Sequence, residues 1–60
     1  MTDFEKGDEV RHPREGNAIL TVVAPADRNG VLVTEYFNSD TRQNIAVTAD
    51  VSEFILVKKA

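Results

Sequence analysis

Three consecutive segments decide the fold: Ala18-Ile19-Leu20-Thr21-Val22-Val23-Ala24, then Pro25-Ala26-Asp27-Arg28-Asn29-Gly30, then Val31-Leu32-Val33-Thr34-Glu35-Tyr36-Phe37. The outer two are rich in β-branched and aromatic residues, whose side chains suit a pleated, half-buried surface. The middle one closes on Asn29-Gly30, a strong hairpin signal because both residues tolerate φ > 0. Together they read as an antiparallel hairpin.

Alternation sorts the hairpin side chains onto two faces. Leu20, Val22, Leu32, Thr34 and Tyr36 share one; Ile19, Thr21, Val23, Val31, Val33, Glu35 and Phe37 share the other. Both are substantially apolar, whereas a sheet covered on one side should alternate apolar with polar. Two arrangements account for this. Either long, bent strands feed the core from both faces, or Ile19, Val33 and Phe37, with the adjoining Tyr36, form an exposed patch for a protein partner or a second copy.

Outward from the hairpin, shorter runs alternate with turn signals. Residues 8–12 follow the Gly7-Asp8 turn and carry Val10 between charged neighbours. Pro13 cannot donate to a ladder, so it ends this run or lies on an edge. Arg14-Glu15-Gly16-Asn17 then reads as a loop, with Gly16 or Asn17 at positive φ. Beyond the hairpin, residues 38–42 form a polar turn and residues 43–48 a fourth strand with Ile45 and Val47 on one face. Residues 49–53 read as a single helical or 3-10 turn capped by Asp50, with Glu53 three positions on. Residues 54–57 make the last strand. The expectation is an all-β, five-stranded SH3-like barrel forming one domain over residues 1–60. Its strands run as a meander, each pairing with its neighbour, and closure or half-closure deals with the free edges.

Composition narrows the chemistry. Sixty residues bury too little surface for more than marginal stability. With no cysteine, neither a disulfide nor a thiolate metal site exists, and the single histidine, His12, is too few for a usual zinc site. Packing or self-association is left to supply stability. The net charge of −3 mildly repels phosphate. The basic clusters Arg11-His12-Arg14 and Lys58-Lys59 read as solvated surface. No apolar run approaches the ~20 residues of a membrane span. The polar opening Met1-Thr2-Asp3-Phe4-Glu5-Lys6 lacks an apolar h-region, which sets the expectation of a cytoplasmic protein.

Nothing in the sequence supports catalysis. Ser39 and Ser52 lie in polar turns without a glycine elbow, and no phosphate-cradling glycine loop occurs. His12 beside Pro13 reads as a packed or surface residue, not a ligand. No cofactor or metal is expected.

Phe4, Gly7-Asp8, Val10, Gly16, Leu20-Thr21-Val22-Val23, Gly30, Leu32, Thr34 and Tyr36-Phe37 resemble the YodC-like small bacterial proteins. That family carries a Gly-Asp-x-Val start, a Gly-Gly-Pro-x-Met-Thr-Val segment and a Gly-x-Val-x-Cys-x-Trp-Phe strand. Here Glu15-Gly16-Asn17-Ala18 stands near the Gly-Gly-Pro, with one extra residue before Leu20. Leu20 takes the methionine place, Thr34 the cysteine place and Tyr36 the tryptophan place. The resemblance implies an SH3-like barrel and brings no catalytic residues. A second stretch, residues 7–16, is similar to the opening of CarD-type Tudor-like domains, which dock on RNA polymerase.

The expectation is therefore a non-catalytic module that binds a protein partner or itself, through Ile19, Val33, Tyr36 and Phe37. The alternative is a nucleic-acid-associated or transcription-associated module using Arg11, Arg14 and Arg42 beside exposed aromatics. Net acidity disfavours it.

Overall fold

The computed structural model describes residues 4–60; Met1-Thr2-Asp3, part of the polar opening, lies outside the described residues. Five strands form one antiparallel sheet: β1 (Glu9–Arg11), β2 (Leu20–Ala24), β3 (Val31–Asn38), β4 (Gln43–Asp50) and β5 (Ile55–Lys58), in the order β4-β3-β2-β1-β5. Two 3-10 turns, Pro13–Glu15 and Val51–Glu53, complete the secondary structure of the described residues. The arrangement is an SH3-like all-β fold whose two end strands, β4 and β5, are not paired with each other.

The hairpin face carrying Leu20, Val22, Leu32 and Thr34 is the core. Phe4, Val10, Leu20, Val22, Leu32, Val47 and Phe54 cluster beneath the sheet, each worth roughly 1.5–3 kcal/mol of burial for a Val- to Phe-sized side chain. Thr34 is buried among them because its Oγ1 donates to the Val47 carbonyl at 2.9 Å, which satisfies its only polar group. The core is thus fed from one face of the hairpin. Bent strands contributing from both faces are not what forms here.

A bulge at Val23 fits the hairpin to this curvature. Val22 pairs with Thr34 and Ala24 with Val33, so Val23 is the extra residue, and Val23 and Ala24 are both exposed. Such an insertion bends the strand and sharpens its twist.

The hairpin loop differs from expectation in one respect. Gly30 takes φ +78°, but Asn29 does not have positive φ. The loop is longer than a two-residue turn: Gly30 N–H donates to the Asp27 carbonyl, and Asp27 N–H to that of Val31. The Asp27 carboxylate accepts from the N–H groups of Asn29 (2.8 Å) and Val31 (3.1 Å). A type I turn followed by one left-handed glycine needs positive φ only at the last position.

Arg14 and Glu15, expected as part of a plain loop over residues 14–17, belong instead to the 3-10 turn Pro13–Glu15. Pro13 opens it with a preset φ, and His12 caps it by accepting the Arg14 N–H on Nδ1 at 3.1 Å. A histidine cap leaves little trace in sequence, since the usual capping residues are Ser, Thr, Asp and Asn. Gly16 closes the turn at φ 62°, ψ −122°. An added Cβ there meets nothing within 4 Å, so Gly16→Ala carries backbone strain alone. It is expected to lower stability by about 1–2 kcal/mol, read from thermal melts; an unchanged melt rules out that strain.

The meander holds from β1 to β4 and fails at β5, which pairs with β1. The second 3-10 turn redirects the chain. Val51 N–H donates to the Gly30 carbonyl at 2.8 Å, holding the turn beside the hairpin tip. Glu53 then reaches the Nε2 of His12 at 3.1 Å, drawing the chain toward the end of β1. Phe54 drops into the core against the His12 ring, with centroids 5.1 Å apart. β5 follows beside β1.

Candidate functional site

The outer surface of the sheet can be followed residue by residue from the register. Glu9 pairs with Thr21 and Val10 with Leu20, so the next position sets Arg11 opposite Ile19. Thr21 pairs with Glu35 and Val22 with Thr34, which by the same step sets Ile19 opposite Phe37. Phe37 pairs with Asn44, and Arg11 with Ile55. One belt therefore runs across the sheet as Ile55, Arg11, Ile19, Phe37, Asn44. Phe37 is 61% exposed and Ile55 59%. These are large values for apolar side chains within a sheet.

The neighbouring row is Lys58, Glu9, Thr21, Glu35, Ala46. On the three-strand surface of β2, β3 and β4 its only charge is Glu35, which forms no ion pair with a described residue. Val33, opposite Thr48 and Ala24, lies on the far side of Glu35 from Phe37. The outer hairpin surface thus presents Ile19 and Phe37 on one side of a free carboxylate, and Val23 and Val33 on the other.

Of the residues expected to bind a partner, Ile19, Val33 and Phe37 share this surface. Tyr36 does not. It points to the opposite face, partly buried against the core, and its hydroxyl donates to Glu15 Oε1 at 3.1 Å. That bond to a carboxylate, reinforced by burial, raises the phenol's pKa above its ordinary value. Tyr36 therefore anchors the first 3-10 turn to β3. The arginines are spread out: Arg11 lies in β1 and reaches Asn17 Oδ1 at 3.4 Å, Arg14 lies in the first 3-10 turn, and Arg42 sits at φ 56° in the β3–β4 turn.

The buried polar groups are structural. Asp8 is fully buried and accepts from Glu5 N–H (2.9 Å), Ala60 N–H (2.9 Å) and Lys59 Nζ (3.0 Å). Lys59, read in sequence as solvated, thus holds a buried acid. His12 is buried with both ring nitrogens engaged. Since Nδ1 accepts a backbone N–H, the neutral ring carries its proton on Nε2 and donates to Glu53. Among the described residues no buried side-chain polar atom lacks a partner, and no group of three or more His, Cys, Asp or Glu could hold a metal ion. The described residues contain no helix long and apolar enough to cross a membrane. No protein-family model, curated protein or solved structure matches the chain.

Sequence reasoning missed the exposure of β5. Ile55, Leu56 and Val57 are all substantially exposed. The clue was the unbroken apolar run Phe54-Ile55-Leu56-Val57, which lacks the alternation of a half-buried strand.

Proposed function

We propose that this chain is a small non-catalytic protein-interaction module. Its outer hairpin surface docks a protein segment that brings apolar side chains to Phe37 and Ile19 and a cation to Glu35. The observation that carries this reading is Phe37, a phenylalanine 61% exposed in the middle of a sheet and opposed by a second apolar residue, Ile19. A contiguous exposed apolar surface, as Phe37 and Ile19 form, is a mark of a protein-interaction site. The unpaired Glu35 beside it sets the sign of the partner's charge. We place it in a bacterial, cytoplasmic setting, as a relative of the YodC-like proteins it resembles from Phe4 to Val57, a resemblance that implies an SH3-like barrel and brings no catalytic residues.

The nucleic-acid alternative is weaker on this surface. Glu9 and Glu35 occupy the row beside Arg11 and Phe37, and they repel a phosphate backbone laid along the belt.

The test compares the wild type with Phe37→Ser and Glu35→Lys in capture from an extract of the source organism, with circular dichroism confirming the fold. Phe37 is exposed, so Phe37→Ser is expected to change stability by no more than about 0.5 kcal/mol. A protein captured by the wild type and lost with both variants supports the reading. Capture that survives both, or binding to oligonucleotide lost on reversing Arg11, Arg14 and Arg42, overturns it.

A further inference from the structure

Four asparagines stand in the chain, and only Asn29 combines a free side-chain amide with a following glycine. Asn17 Oδ1 accepts from Arg11 Nη2, and Asn38 Oδ1 accepts from the N–H groups of Asp40 and Thr41. Asn44 lies within β4 opposite Phe37, and the β-branched Ile45 follows it. Asn29 is exposed at the tip of the β2–β3 loop, and its side-chain amide makes no hydrogen bond among the described residues. Gly30 has no Cβ to obstruct the approach of its backbone nitrogen to the Asn29 side chain.

We propose that Asn29 is a modification site, losing its side-chain amide through a cyclic imide closed by the Gly30 nitrogen, with Asp27 restraining the reaction. The Gly30 nitrogen gives up its proton and attacks Cγ of Asn29. The new N–Cγ bond forms, the Cγ–Nδ2 bond breaks, and Nδ2 takes up a proton and leaves as ammonia. Water then opens the imide. Addition at Cγ yields an ordinary aspartate. Addition at the backbone carbonyl yields isoaspartate, with one extra main-chain carbon before Gly30.

The loop itself sets the pace. Gly30 N–H donates to the Asp27 carbonyl at 2.9 Å, and the Asp27 carboxylate accepts from Asn29 and Val31 on either side. A bonded N–H beside a carboxylate resists losing its proton, so the reaction runs through openings of the loop. The product then weakens the same tip. The extra carbon displaces Gly30, whose carbonyl accepts the Val51 N–H at 2.8 Å and so holds the second 3-10 turn. The new carboxylate joins Asp27, and Asp50 Oδ2 lies 3.8 Å from where a Gly30 Cβ would stand. Isoaspartate at position 29 therefore loosens the turn that brings β5 back to β1.

Peptide mapping by mass spectrometry, after incubation at mildly alkaline pH, is expected to find Asn29 converted first, with isoaspartate in excess over aspartate. The chain unfolded in guanidinium should convert at Asn29 faster than the folded chain. Asp27→Ala, where circular dichroism shows it folded, should convert severalfold faster than the wild type. Melts of the aged wild type should show a second, less stable population. Asn29→Gln, whose longer side chain closes a larger ring far more slowly, should age without it. Conversion of Asn17, Asn38 or Asn44 ahead of Asn29 overturns the proposal. So does an Asn29 still intact after many times the period in which the unfolded chain converts, or an Asp27→Ala rate equal to that of the wild type.

Discussion

Asp8→Ala is expected to lower the melting temperature by roughly 10 °C or more, since it removes one buried carboxylate that three donors share. Those donors come from both ends of the described chain. The Glu5 N–H approaches from the segment before β1, and the Ala60 N–H and Lys59 Nζ from the segment after β5. One carboxylate therefore ties the segments flanking the two adjacent strands β1 and β5. The Glu5 N–H, the Ala60 N–H and the Lys59 ammonium, in that order, hold the Asp8 carboxyl at a pKa of about 2 against an ordinary 3.8. Because the folded-state value is the lower one, the unfolded chain takes up this proton first as pH falls. The stabilisation is complete above 3.8 and drains away as pH drops toward 2. Asp50, whose carboxylate accepts the Ser52 N–H, also has a lowered pKa and adds to the same acid loss. The diagnostic quantity is the difference between wild-type and Asp8→Asn melts as a function of pH. It should be large at neutral pH and shrink through the acid window. Lys59→Met, which leaves both backbone donors in place, should lose less than Asp8→Ala. A wild type and Asp8→Asn that melt together at neutral pH would refute the clasp.

Much of the fold was legible in the chain because its cues were local. The β2–β3 hairpin follows from two β-branched runs around Asn29-Gly30. The turn at Val51–Glu53 follows from Asp50 and Glu53 three apart, and both halves of that capping box form. The face assignment needed only alternation: Leu20, Val22, Leu32 and Thr34 are buried, and Ile19, Val33 and Phe37 are exposed.

What stayed hidden depends on contacts far apart in sequence. The return of β5 to β1 hangs on His12 meeting Glu53, 41 residues away, and on Asp8 meeting Lys59 and Ala60. No periodicity encodes either. Whether two apolar faces meant a doubly fed core or an exposed patch was equally a long-range matter, settled by which layers pack on the sheet. Tyr36 shows the limit within the hairpin itself. Alternation put it on the core face with Leu32 and Thr34, and its role came from Glu15, 21 residues earlier.

His12→Ala is the second substitution expected to act strongly, by about 3 kcal/mol, and it tests how the two 3-10 turns depend on one residue. The loss has two sources of similar size. Removing a buried ring leaves a cavity beside Phe54, of the kind that costs roughly 3–5 kcal/mol for a Phe, less whatever the site recovers by collapse. The Arg14 N–H also loses its acceptor, and Glu53 loses its long-range partner. In a domain of this size the sum corresponds to a fall of roughly 12–24 °C in melting temperature. Glu53 Oε2 still accepts the Asp50 N–H at 3.3 Å, so Glu53→Gln alone should be milder. The two residues touch, so their effects should not add; a double-mutant cycle is expected to return a coupling of roughly 1 kcal/mol. Nitrogen-15 NMR at alkaline pH supplies a readout independent of stability, because the Arg14 N–H on Nδ1 forces the proton onto Nε2. An Nδ1-protonated ring, or zero coupling between His12 and Glu53, would leave the path of β5 back to β1 without its cause.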